Sequence, residues 1–118
     1  MAEQIEPAQW ADFFAEVTRV HHGCEAHLDI SGRTFGDHEA TAWLPFAGIS
    51  YDPHYAQIFI TLGGSSSRSP VHLTHQIAHP WIVTVHRTSE GEVRGVLVVS
   101  EDKTERRLTF RREPQLAA

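Results

Sequence analysis

Residues 71–81, VHLTHQIAHPW, carry histidines at 72, 75 and 79 and end the run at Pro80. On a helix, these three rings share one face, which is how a metal site starts. Ser69 as a cap and Pro70 at the first helical position suit that form. On a strand, odd positions share a face, so His75 and His79 lie together and His72 points away. Val71, Leu73 and Ile77 alternate, and a helix held between Pro70 and Pro80 is short, so the stretch reads as a strand. His79, standing before Pro80, is expected to be extended. Four residues of strand cover about 13 Å. Two imidazoles on one zinc need nitrogens within about 3.5 Å. The strand alone cannot chelate; only partners on neighbouring strands, about 4.8 Å away, complete a site.

Working back toward the N-terminus, the clearest element is EPAQWADFFAEVTRVHHG. Trp10, Phe13, Phe14, Val17, Val20 and His21 recur at helical steps, which predicts an amphipathic helix over about 7–22. Pro7 suits its first position and Gly23 its end. Gln9 and an Ile5–Trp10 staple support a weak cap at Glu6. The period then becomes two. Cys24, Ala26, Leu28 and Ile30 share one face of a strand, and Ala40, Ala42, Leu44 and Phe46 line another. Pro45 implies an edge or a bulge. GISYDPHYAQIFITL reads as strand, turn at Asp52–Pro53, strand.

Forward from the histidines, WIVTVHR and EVRGVLVVS are joined by TSEG, and ERRLTFRR follows EDKT, which predicts two hairpins. Val96–Val99 lacks polar alternation and is expected to be central and covered on both faces. Pairing Leu97 with Leu108 would set Phe110 across from Gly95. GGSSSRSP is read as a flexible Gly/Ser loop, 63–70; it has neither P-loop spacing nor a nucleophile elbow. The expected architecture is α+β: an N-terminal amphipathic helix on an antiparallel meander sheet or open barrel of about six to seven strands. The strands are expected over about 24–112, and the whole of 1–118 reads as one domain.

The 118 residues include one cysteine and carry a net charge of −5 with neutral histidines. Cys24 cannot form an internal disulfide, no apolar run is long enough to span a bilayer, and no secretory leader is visible. These features lead to an expectation of a cytoplasmic protein with neither a membrane nor a nucleic-acid partner. An RNA-binding helix-plus-barrel module conflicts with the acidic balance. Charge is uneven: six acids precede residue 31 and five basic residues lie in 103–112, which suggests a basic last strand near an acidic first helix. Nine histidines are unusual, and protonating all of them would carry the net charge from −5 to +4.

Several side chains qualify as site candidates. Tyr51, Asp52, His54 and His75 form a candidate polar pocket, although Asp52 before Pro53 is also ordinary turn chemistry. His75, His79, His27 and His86 are the candidate metal ligands if neighbouring strands align them. His75 is equally a hydrogen-bonded core histidine, in line with Leu73 and Ile77. Cys24, in phase with Ala26 and Leu28, reads as a buried inert thiol. Trp43 is out of phase with Ala42 and Leu44, making it a candidate interface residue.

Trp10 and Phe14, LPFAGISYDP at 44–53, QIFITLG at 57–63, HQIAHP at 75–80 and the alternating Leu97, Val99, Leu108 and Phe110 form a recurring pattern. On these residues the chain resembles a small bacterial family of uncharacterised proteins, a domain of unknown function. The resemblance implies a helix followed by antiparallel strands and carries no activity, cofactor or catalytic residue. The Ser-rich loop, His72 and His79 depart from it. The leading expectation is a non-enzymatic, self-associating interaction module, pairing as a homodimer or with another protein. The alternatives are metal binding by histidines on neighbouring strands, and a small hydrolase or isomerase using Asp52 with His54 or His75. No cofactor or small-molecule ligand is identified.

Overall fold

The computed structural model describes residues 2–32, 38–63 and 72–111; the expected loop, beyond Gly63, lies outside them. The aromatic stripe becomes helix α1, Trp10–His21, whose buried residues Trp10, Phe14, Val17 and His21 fall on one side. The helix opens differently from expectation. Pro7–Gln9 form a 3-10 turn, and neither Glu6 nor Gln9 makes a side-chain cap. Instead the Gln9 amide donates to Glu6 O at 2.8 Å, and the Trp10 indole N–H donates to Ile5 O at 2.9 Å, so the staple pair carries a hydrogen bond. Gly23, at φ 90, turns the chain out of the helix, a conformation glycine adopts without a Cβ penalty.

The strands are β1 Ala2–Ile5, β2 Glu25–Ser31, β3 His38–Ala40, β4 Leu44–Asp52, β5 Gln57–Gly63, β6 His72–Ala78, β7 Pro80–Arg87, β8 Val93–Ser100 and β9 Glu105–Arg111. They form an open antiparallel sheet of eight strands in the order β1-β7-β8-β9-β2-β4-β5-β6, with β3 also paired to β2. The strand count exceeds expectation, and β1 is an addition at the N-terminus. Ala2–Ile5 buries only Ile5 and shows no alternation to read, and the segment from 38 to 52, expected to part near Phe46, keeps two strands but parts at residues 41–43.

The break is bridged by Thr41. Its amide donates to Leu28 O at 2.9 Å, and its hydroxyl accepts the Leu28 amide at 3.0 Å, replacing a ladder bond where backbone pairing lapses. β4 touches β2 only at Leu44 and Pro45, then diverges with a bulge between Phe46 and Gly48. Helix α1 packs along β4 there. Gly48 eases this approach, since a Cβ would stand a tight 3.3 Å from Thr18 Cγ2. The inner face of β9, β8 and β7 meets that of β4, β5 and β6 in a hydrophobic cluster that includes Phe14, Leu28, Phe46, Ile60, Val96 and Leu108.

Three local expectations change. His79 is left-handed, at φ 51, and not extended. Its amide donates to Ala56 O and its carbonyl accepts the Glu101 amide, both at 3.0 Å, so two loops hold a corner between β6 and β7. In the β8–β9 hairpin Val96 faces Leu108 and Gly95 faces Thr109, one residue from the expected register. Phe110 points inward and stacks on His21 with ring centroids 4.4 Å apart. Finally, Val96 and Val98 are sealed but Leu97 and Val99 are partly exposed, so β8 is fully covered on one face only. The basic β9 lies beside β2, with Arg111 Nε 3.0 Å from Glu25 Oε1, and its far end meets the end of α1 through Phe110 and His21.

Candidate functional site

A connected polar grouping among the described residues begins on the inner face of the sheet. Register places Arg106 on β9 between Ile30 of β2 and Val98 of β8. His75 on β6 reaches the same point from the opposite wall. Arg106 Nε donates to His75 Nε2 at 3.3 Å, and Arg106 Nη1 donates to the Ser100 hydroxyl at 2.5 Å. Ser100 is 2% exposed, and its hydroxyl donates to Asp102 Oδ1 at 2.6 Å, an oxygen that also accepts the Thr104 amide at 3.0 Å. The turn EDKT makes this possible: the Lys103 amide donates to Ser100 O at 2.8 Å, which folds Asp102 back over Ser100.

The electrostatics follow from that geometry. Accepting from Arg106 leaves His75 Nε2 without a proton, so a neutral ring carries its proton on Nδ1. Burial lowers the His75 pKa, and the neighbouring guanidinium lowers it further. Burial also lowers Arg106, against the opposing pull of Asp102. The Ser100 hydroxyl and the Thr104 donors hold the Asp102 carboxyl down at about 2, despite its exposure. Among the described residues no carboxylate lies within 4.0 Å of the Arg106 guanidinium. The arrangement holds a cation at fixed orientation by neutral acceptors, and the Ser100 hydroxyl that accepts from Arg106 is itself committed to Asp102.

The other polar-pocket residues lie elsewhere. Tyr51 is set edge-on to Trp10 with centroids 5.1 Å apart. Asp52 Oδ1 accepts the His54 amide at 2.9 Å, the local turn bond, and the exposed His54 ring packs on Tyr55. In the register Tyr51 faces Ile58, which faces Ile77, whereas His75 faces Ile60, so His75 is not brought to the Asp52 turn.

The metal candidates are dispersed. His86, Gly95, Thr109 and His27 form one cross-strand row on the outer face, which separates the two histidines by three strand spacings, about 14 Å. His75 faces inward and His79 is at the exposed corner. Among the described residues no group of three or more His, Cys, Asp or Glu is placed to hold a metal ion.

Trp43 is covered from within the chain. The Arg111 guanidinium lies 4.1 Å over its ring and His27 lies 5.3 Å away. Trp81 is the more open tryptophan, 57% exposed at the bulge between Pro80 and Ile82. Alternation could not mark it, because a bulge inserts a residue and resets the phase. Arg106 did carry a signal: it is in phase with Leu108 and Phe110 along β9, so alternation alone puts it on their face, and the register supplies only its neighbours Ile30 and Val98.

On the outer face, Ile82 stands beside Val99 and Leu97 beside Arg107, with Glu105 exposed two residues from Arg107. A shallow depression of about 170 Å³ there is lined by Asp29, Ser31, Leu97, Glu105 and Arg107. Among the described residues no helix is long and apolar enough to cross a membrane. No curated protein and no solved structure matches the chain. The model of a family of unknown function, DUF5335, matches residues 1–118, and the chain belongs to that family.

Proposed function

We propose that this chain is a non-enzymatic, self-associating module of the cytoplasm that pairs with a second copy through the outer face of β7, β8 and β9. The observation that carries this reading is the partial exposure of Leu97 and Val99 on β8, beside Ile82 on β7. A strand with an unbroken apolar run normally has both faces covered, and here one face is left to another layer. The charges beside that strip favour a copy of the same chain. Arg107 and Glu105 are exposed on β9, two residues apart, and a two-fold axis between copies would bring each against its opposite. Reaction chemistry has less support, since the Ser100 hydroxyl is buried between Arg106 and Asp102, and a carboxyl held at about 2 is a weak base.

Sedimentation equilibrium over a wide concentration range tests this. A dimer is expected for the native chain and a monomer for Leu97→Glu. Arg107→Glu is expected to weaken the dimer, and Glu105→Arg in the same chain to restore it. A native chain that stays monomeric at millimolar concentration overturns the proposal.

A further inference from the structure

We infer that Arg106 is the anchor of a ligand site for a small organic carboxylate with an apolar body. The site opens between the inner faces of the sheet and is separate from the outer face proposed for pairing.

Most of the inner face is sealed: Leu28, Ile60, Ile77, Val98 and Leu108 are all within 1% of complete burial. Several inward positions are not, Leu44 and Tyr51 on β4 among them, and four of these belong together. Ile30, Leu73, His75 and Arg106 retain partial exposure, although Ile30 and Leu73 pack against the core. They are neighbours. Ile30 pairs with Arg106 across β2 and β9, His75 accepts from Arg106, and Leu73 is two residues from His75 on the same face of β6. Their partial exposure leaves this end of the interior incompletely sealed, with one cation between an aliphatic side chain on β2 and another on β6.

Arg106 has N–H groups to spare. His75 takes Nε and Ser100 takes one proton of Nη1. The remaining protons lie on Nη1 and Nη2, the edge that grips a carboxylate through two parallel hydrogen bonds. A guanidinium that serves only structure is commonly matched to a carboxylate, whereas here the nearest acid, Asp102, is reached through the Ser100 hydroxyl. His75 and Ser100 set the plane of the fork before any ligand arrives, which lowers the ordering cost of binding. Ile30 and Leu73 then favour a ligand with methylene groups behind its carboxylate over a bare oxyanion.

Calorimetric titration of the full chain with hexanoate, acetate, inorganic phosphate and hexanol tests the site. Hexanoate is expected to bind one per chain, about tenfold or more tighter than acetate, and hexanol not to saturate. Arg106→Gln, folded by circular dichroism, is expected to lose hexanoate binding by about tenfold or more. Should that variant not fold, the native chain still decides. Hexanoate must shift the His75 ring resonances in an NMR titration, and hexanol must leave them in place. Hexanoate binding no tighter than acetate or phosphate, full retention by folded Arg106→Gln, or unmoved His75 resonances each overturn the inference. The Leu97→Glu monomer is expected to bind hexanoate as the native chain does, so failure of this site and failure of self-association are read separately.

Discussion

The Thr18 hydroxyl satisfies both backbone groups of Ile49: it donates to Ile49 O at 2.9 Å and accepts the Ile49 amide at 2.9 Å. β4 has left β2 by this point, so its edge faces the helix and not another strand. One side chain thus substitutes for a missing neighbour strand. Thr18→Val keeps the shape and removes both bonds, leaving a part-buried amide and carbonyl, at an expected cost of about 2 kcal/mol. Thr18→Ser is expected to keep most of that stability. Urea unfolding of the three chains checks it; a valine variant as stable as the native chain would show that the edge is satisfied another way.

The lowered His75 pKa makes stability depend on acidity in a defined direction. The unfolded chain, with His near 6.5, takes up the proton before the folded one does. Stability is therefore expected to fall as pH drops below 6.5 toward the lowered folded value. His75→Gln keeps an acceptor for Arg106 and removes the titration. The difference between its pH–stability curve and the native one is expected to shrink as pH falls through that window. Equal slopes for both chains would refute the assignment.

Asp102 acts in a more acidic window. Its folded pKa of about 2 lies below the ordinary 3.8, so its contribution is complete above 3.8 and is lost as pH falls toward 2. Asp102→Asn is expected to flatten that acid limb and leave the region near pH 6 unchanged, as read by denaturant melts at stepped pH.

The left-handed corner at His79 is strained for a residue with a Cβ. His79→Gly relieves that strain and partly offsets it with greater freedom in the unfolded chain, for a net gain of at most about 1 kcal/mol. A clear loss of stability on thermal unfolding would mean the imidazole itself holds the corner.

Gly95 is required by closeness, not by backbone conformation. A Cβ there would stand 3.0 Å from Leu108 O on the neighbouring strand. Gly95→Ala must push β8 from β9 and is expected to cost about 1–3 kcal/mol. An alanine variant melting with the native chain would show that the two strands can part freely.

Local periodicity was readable. The stripe Trp10, Phe14, Val17 predicted α1 and its buried side, the alternation of Ala26 and Leu28 predicted β2, and TSEG and EDKT marked the hairpins. Each of these rests on interactions within a few residues, where side-chain spacing alone states which face is apolar. The sequence by itself therefore determined the α+β class and most inward-facing positions. The tertiary structure decided which inward positions meet. Arg106 and His75 are 31 residues apart, and their contact depends on β6 and β9 facing one another across the interior. It also decided that His79 turns and does not extend, because hydrogen bonds to Ala56 and Glu101 outweigh the steric preference of a residue before proline. A period names a face; only the packing of distant strands supplies its partner.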